Sequence, residues 1–168
     1  MNFLVLLPFW AYTAKMLSTM EEVYTDGNIC YVSLNKPYRI LKPLLEEGNL
    51  HPERFRVIDA VTRSVMHLST PERNCVFVSS PNAFDELQQR IVETLAKDKC
   101  RLLVFDSISS LLIYLKEEPA LAYLKKISDT AEMFRCEALF TVLKENLDDS
   151  LVKRLGLIMD KTVDMTRE

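Results

Sequence analysis

Short apolar runs alternate along this chain with segments of helical periodicity, and this alternation constrains the fold more than any other feature. The runs predict strands at residues 2–7, 28–34, 55–59, 75–79, 101–106 and 137–143, with residues 162–165 as a candidate edge strand. Most of them are apolar on both faces, which is typical of parallel strands covered by helices on each side. We therefore predict one α/β domain over residues 1–168, with three layers (αβα) around a mostly parallel central sheet.

The segments between the strands carry signals for the ends of helices. Helices are predicted over residues 11–24, from Lys36-Pro37, from Ser80-Pro81, from Pro119 and over residues 147–155. Asn35 is the expected cap of the second helix, Gly48 its expected end, and Asn146 the expected start of the last helix. The pair Asp26-Gly27 predicts a turn, and residues 62–73 are predicted to be irregular.

Composition and charge exclude several classes of partner. The net charge is −3, and basic and acidic residues are interleaved, so the chain lacks the single-sign field that recruits nucleic acid or an anionic membrane. The apolar opening at residues 3–10 is broken by Pro8 and follows no lysine or arginine, and the other apolar stretches are too short to span a bilayer. We expect a soluble, cytoplasmic protein that binds neither nucleic acid nor membrane.

Cysteine and histidine spacing gives no metal or catalytic signature. Cys30, Cys75, Cys100 and Cys136 show no CxxC spacing, and each lies in or beside a predicted strand, so we predict reduced thiols in the core. His51 precedes Pro52 in a turn and His67 lies in the irregular segment, and neither has a partner at metal or triad spacing. We assign no metal site, no catalytic residue and no cofactor.

Open parallel sheets bind ligands at the carboxyl ends of their strands, and the turn after the first strand is the most informative one. A phosphate-binding loop needs glycines followed by a lysine and a hydroxyl residue. Here Lys15 could be aligned with the motif lysine only if Phe9 and Ala14 replaced both glycines, and Met16 would then stand in place of the hydroxyl residue. No glycine follows this strand, so we predict no working phosphate loop.

The run at residues 102–107 (LLVFDS) is four apolar residues that end in Asp106, the shape of a Walker B strand whose acid approaches magnesium. The alternative interpretation is structural: Asp106 caps the following turn, where Ser107 and the next serines offer local hydrogen-bond partners. Asp59 and Asp164 end their strands in the same way and receive the same structural interpretation.

An aromatic and basic group follows the first two predicted strands: Trp10, Tyr12, Tyr38, Arg39 and Lys42. It is a candidate surface for a ligand or a partner. The alternative is that Trp10 and Tyr12 fill the space that a phosphate loop and a nucleotide would occupy.

The order of these features resembles the KaiC/RecA-like ATPase superfamily, and more closely its small archaeal members of unassigned function. The resemblance is carried by residues 29–38 (ICYVSLNKPY), 55–60 (FRVIDA) and 103–110 (LVFDSISS), with weaker support from residues 79–82 and 160–164. It implies that Lys15, Asp106 and Ser107 occupy degenerate nucleotide-binding positions. It also implies that Asn35 and Lys36 stand where active members carry a pair of glutamates.

The resemblance and its departures together imply a non-catalytic domain used for protein binding or regulation. The expected partner is a second copy of the chain or an active KaiC-like relative, and the expected surface includes Trp10, Tyr12, Asn35, Lys36, Tyr38 and Arg39. The alternative is a nucleotide-binding protein or weak ATPase that uses a rearranged site around Asp106. A DNA-associated recombinase relative finds no support in the acidic charge balance.

Overall fold

A computed structural model describes residues 1–23, 26–66 and 70–167. The strands are β1 (Asn2–Leu7), β2 (Asn28–Ser33), β3 (Phe55–Asp59), β4 (Cys75–Phe77), β5 (Cys100–Asp106), β6 (Glu137–Leu143) and β7 (Lys161–Asp164). The helices are α1 (Tyr12–Val23), α2 (Tyr38–Glu47), α3 (Thr62–Val65), α4 (Phe84–Asp98), α5 (Ile108–Tyr114), α6 (Glu117–Met133) and α7 (Asp149–Ile158). Short 3₁₀ turns cover Phe9–Ala11, Pro52–Arg54 and Lys144–Asn146.

The seven strands form one sheet in the order β4-β3-β2-β5-β6-β1-β7, and every pairing between them is parallel. Strand β6 is inserted between β1 and β5, and β7 pairs with β1 at the edge. The predicted mostly parallel sheet and its candidate edge strand are therefore confirmed. Because all strands run in one direction, the connections that follow β1, β2, β5 and β6 meet at the same end of the sheet.

Two apolar clusters cover the two faces of the sheet and make it the middle of three layers, as predicted. One face packs against α4, α5, α6 and α7, and the other packs against α1 and α2. The strands point alternate side chains to each face, as Leu103 and Val104 of β5 do. Burial of this kind on both faces explains why the strands read as continuous apolar runs.

The four cysteines are free and buried, in agreement with their prediction as core thiols. Removal from water disfavours the thiolate, and this raises the pKa of Cys100 and of Cys136 to about 12. None of the described helices is both long and apolar enough to cross a membrane.

The start of the last helix differs from its prediction because the capping group is another residue. Helix α7 begins after Asp148, whose carboxylate accepts the amide of Leu151 at 2.7 Å, rather than at Asn146, and it continues past Gly156. Gly48 follows the last turn of α2, as predicted. The turn at Asp26-Gly27 is also present, with a left-handed φ of +90° at Gly27.

Four further elements differ from their prediction. The segment after β5 was expected to be a turn but forms α5, because the Ser107 hydroxyl caps it by accepting the amide of Ser110. Helix α4 begins at Phe84, later than Ser80-Pro81, and α6 begins at Glu117, ahead of Pro119. The expected irregular stretch opens with the single turn α3. Tyr24, at the end of the first predicted helix, and His67 lie outside the described residues.

Candidate binding site at the carboxyl ends of the strands

An open pocket of about 620 Å³ lies at the carboxyl ends of the central strands. Its lining comes from the last residue of β6 and from the segments that follow β1, β2, β5 and β6: Phe9, Tyr12, Thr13, Asn35, Lys36, Ser107, Ser109, Ser110, Leu112, Ile113, Leu143 and Asn146. The volume is in the range of sites that hold small molecules or short peptide segments. The walls are mainly apolar, and the polar side chains come both from the segments after the strands and from the starts of α1 and α5.

Asp106 lies beneath this pocket and is fully buried. Its Oδ1 accepts hydrogen bonds from the Tyr12 hydroxyl at 2.5 Å, from Thr141 Oγ1 at 3.0 Å and from Asn35 Nδ2 at 3.2 Å. Its Oδ2 accepts the hydroxyl of Tyr31 at 2.5 Å. A buried carboxylate is stable only when such donors replace water, and here three other strand ends supply them.

The two tyrosine hydroxyls are held in their protonated, donating form. Burial, followed by the charge of Asp106, raises the pKa of Tyr12 and of Tyr31 well above the usual value near 10. A phenol of this kind can donate a hydrogen bond but is a poor proton acceptor at neutral pH. These two phenols therefore act as hydrogen-bond donors to Asp106 and not as general bases.

Lys36 supplies the positive charge of the site. Its Nζ lies 3.8 Å from Oδ2 of Asp106 and 5.1 Å from the centre of the Tyr12 ring. Both values describe an electrostatic contact, since 3.8 Å is too long for a hydrogen bond. The backbone of Lys36 is fixed by Ser33, whose hydroxyl donates to the Lys36 carbonyl at 2.6 Å.

The segment between β1 and α1 forms one side of the site. The amide of Phe9 donates to Oε1 of Glu145 at 3.2 Å, and the following turn leads directly into α1. Tyr12, in the first turn of α1, reaches Asp106 and Thr141 with its hydroxyl. A carboxylate of the chain itself thus lies at the start of this connection.

The structure brings together five of the residues singled out from the sequence: Tyr12, Asn35, Lys36, Asp106 and Ser107. The prediction that Asn35 caps α2 is wrong, because its side chain donates to Asp106 instead. The start of α2 is stabilised by Asp59, which accepts the amide of Tyr38 at 2.7 Å.

Four other predicted residues lie elsewhere. Lys15 donates to the carbonyl of Met165 at 2.9 Å and does not reach the pocket. Tyr38 packs against the apolar cluster under α1 and α2, while Arg39 is exposed on α2. Trp10 is 67 % exposed, so it does not fill the space at the strand ends, whereas Tyr12 lines the pocket there.

Of the three acids that end their strands, two stabilise their own turns as predicted, and Asp106 does not. Asp59 accepts the amides of Val61 and Thr62, and Asp164 accepts the amide of Thr166, so both stabilise their own turns. The donors of Asp106 come from distant segments, and the local cap is Ser107 instead. The expectation that Asp106 caps its own turn is wrong, because parallel packing places three foreign strand ends beside it.

Sequence reasoning missed Tyr31, Thr141, Phe9, Ser109 and Ile113. For Tyr31 and Thr141 a signal existed: each is a polar side chain inside an apolar, doubly buried strand, and a buried hydroxyl needs a partner. Phe9 and Ile113, which are 76 % and 75 % exposed, carry no comparable signal, since exposed apolar residues are common on all proteins.

Comparison with solved structures identifies the architecture. The KaiC-like protein PH0186 from the archaeon Pyrococcus horikoshii superposes with a TM-score of 0.66 at 16 % identity, over 99 % of this chain and 73 % of that one. The uncharacterised protein PH0321 from the same organism, crystallised in complex with an unknown peptide, superposes with a TM-score of 0.68 at 11 % identity, over 97 % and 76 % of the two chains. The chain thus has a KaiC-like, RecA-type α/β fold.

Comparison by sequence gives a family without an assigned activity. No curated protein matches the chain. One family model matches residues 2–168, nearly the whole length, and the chain therefore belongs to the family of unknown function DUF7090.

Proposed function

We propose that this chain is a non-catalytic KaiC-like domain that acts as a protein-binding or regulatory module through the pocket at the strand ends. The observation that carries the proposal is the state of Asp106, whose oxygens accept hydrogen bonds from Tyr12, Tyr31, Asn35 and Thr141. A magnesium ion needs open carboxylate positions and near-octahedral geometry. To bind Asp106 it would have to displace these donors and Lys36.

The nucleotide of an active relative fits these residues poorly as well. Phosphate binding at a helix start uses free backbone amides, and the amide of Phe9 is already bound by Glu145. Phosphoryl transfer depends on positioning and charge stabilisation, and both are weakened when the cradle and the metal position are occupied by the chain itself.

The rim of the pocket supports a role in partner binding. Phe9 and Ile113 line the pocket and are largely exposed, and Trp10, which follows Phe9 in the chain, is exposed as well. Exposed aromatic and branched side chains around a polar floor are typical of protein interfaces. The peptide bound to PH0321 shows that one protein of this fold accepts a peptide, which adds support.

Titration with ATP and magnesium separates this proposal from a nucleotide-binding role. We expect no binding heat and no phosphate release up to millimolar ATP, because the metal and phosphate positions are filled. Isothermal titration calorimetry and a phosphate-release assay measure both. Micromolar to low-millimolar binding that Asp106→Asn weakens and Asp129→Asn leaves unchanged would instead support the weak nucleotide-binding alternative; Asp129 is an exposed acid outside the pocket.

Site-specific photocrosslinking tests the partner-binding role itself. A photoreactive residue at position 113 is expected to give one adduct of discrete mass in the native host, whereas the same residue at position 157 gives none. Leu157 is 85 % exposed on α7 and does not line the pocket, so it controls for chance encounters. Mass spectrometry distinguishes a second copy of the chain from a KaiC-like relative or another protein. Equal labelling from both positions would contradict the proposal.

A further inference from the structure

Two hydrogen-bond donors at the polar floor of the pocket have no acceptor within the described part of the chain. The ammonium of Lys36 donates no hydrogen bond within the described residues, since its contacts with Asp106 and Tyr12 are both electrostatic. Ser109 accepts the amide of Leu143 at 2.9 Å, but its own hydroxyl hydrogen reaches no acceptor in the described part of the chain. Both side chains line the pocket. A ligand group rich in acceptors matches this floor.

The charge that faces the pocket is positive. Among the described residues that line it, Lys36 is the single charged side chain. Asp106 lies behind Lys36, fully buried and hydrogen-bonded by four side chains. Glu145 is exposed to solvent outside the lining and is bound to the amide of Phe9. An anionic group that enters the pocket therefore meets the ammonium first.

We propose, on the basis of the protein-binding function above, that the pocket binds the free C-terminal carboxylate of a partner polypeptide whose last residue is apolar. Lys36 pairs with the carboxylate and Ser109 donates to it. The last side chain packs between Phe9, Leu112 and Ile113 on the wall. A carboxylate held by a lysine and a hydroxyl gains charge-assisted hydrogen bonds, which are stronger than neutral ones.

A chain terminus fits this site better than an internal acidic residue does. The side chain of Lys36 is only 19 % exposed, so its ammonium lies at the base of the pocket rather than on its rim. A terminal carboxylate reaches such a position end-on, with one length of backbone leaving through the mouth. An internal aspartate or glutamate requires two lengths of backbone at the same opening.

Short peptides test the proposal on the full chain. The probe is a pool of fluorescent hexapeptides that end in Leu, Ile, Val or Phe with a free carboxylate, measured by fluorescence anisotropy. The matched pools carry the same sequences with an amidated C-terminus, or with an amidated C-terminus and one internal glutamate. We expect the free-acid pool to bind at least about tenfold more tightly than either matched pool. Both matched pools lack the terminal carboxylate and therefore its charge-assisted hydrogen bond.

Lys36→Met keeps most of the unbranched side chain and removes its charge, and it is expected to weaken binding of the free-acid pool by at least about tenfold. The control is Lys153→Met, an exposed lysine of α7 outside the pocket, for which we expect unchanged affinity. The comparison of acid with amide on the unmodified protein keeps the test valid even if Lys36→Met alters the fold.

The outcomes separate this inference from the function on which it rests. Equal binding of acid and amide pools, stronger binding of the internal-glutamate pool, or no binding by any pool overturns the inference. Crosslinking from position 113 in the native host would still stand in those cases and would leave the protein-binding role intact. If neither the preference for free-acid peptides nor the crosslinking from position 113 were observed, both the carboxylate site and the protein-binding role would be overturned.

Discussion

Alkaline solution is expected to destabilise this protein steeply, starting near pH 9. Burial raises the pKa of each of the four cysteine thiols above the usual value near 9, and it raises the pKa of Tyr12 and Tyr31 above the usual value near 10. Above those usual values the unfolded chain releases protons that the folded chain retains. Each such group then lowers the free energy of unfolding by about 1.4 kcal/mol per pH unit.

The free energy of unfolding falls as the pH rises because the pKa values of these groups are higher in the folded state than in the unfolded state. A raised pKa in the folded state contributes stability that is complete below the unfolded pKa and is lost as the pH rises toward the folded pKa. Four thiols acting together give a loss of about 5 kcal/mol per pH unit above pH 9, which is comparable with the whole stability of a typical domain. Urea unfolding at pH 7, 8, 9 and 10 in the presence of a reductant measures it.

A single-cysteine variant provides the control for this prediction. Cys136→Ala removes one buried thiol, so the slope of stability against pH above pH 9 is expected to fall by about 1.4 kcal/mol per unit, whatever its effect at pH 7. A free energy of unfolding that stays constant from pH 8 to pH 10 in the unmodified protein would contradict the expected burial of these thiols.

The substitution Asp106→Ala is expected to lower the free energy of unfolding by about 3 to 5 kcal/mol. The variant leaves the hydroxyls of Tyr12 and Tyr31 without their acceptor in a buried site, and it leaves the ammonium of Lys36 without its nearby opposite charge. Removal of one partner from a buried charged network costs more than its bonds contribute, because the remaining groups stay desolvated. Thermal unfolding followed by circular dichroism is expected to show a midpoint about 6 to 20 °C lower.

Two further variants identify the cause of that loss. Asp129→Ala removes an exposed acid of α6 that pairs with Lys125, and it is expected to change stability by less than about 0.5 kcal/mol. Tyr31→Phe removes one donor and leaves the carboxylate in place, with an expected loss of about 1 to 3 kcal/mol. If Asp106→Ala proved as mild as Asp129→Ala, the network around Asp106 would not be the stabilising centre that the distances indicate.

Strand positions and the layered architecture could be predicted from the sequence because both depend on local patterns. A doubly covered parallel strand must be apolar on both faces, so β1, β2, β3, β5 and β6 were recognised with small errors at their ends. Helix α5 was missed because its seven residues follow a strand directly, and its start depends on the hydroxyl of Ser107.

The candidate site required the tertiary structure. Asp106, Lys36, Asn35 and Tyr12 were singled out from the sequence, but their relation to one another was not, and Lys15 proved to bind elsewhere. Tyr12 is 94 residues from Asp106 along the chain and Tyr31 is 75 residues away. No local pattern encodes such distances.

The sequence by itself determined the class of fold, the burial of the cysteines and the absence of glycine after the first strand, since each is a property of neighbouring residues. Only the tertiary structure decided which side chains surround Asp106 and which donors remain free in the pocket. The physical reason is the order of the strands. Parallel pairing of β2, β5, β6 and β1 brings four separate connections to one end of the sheet, where side chains far apart in sequence complete one hydrogen-bond network.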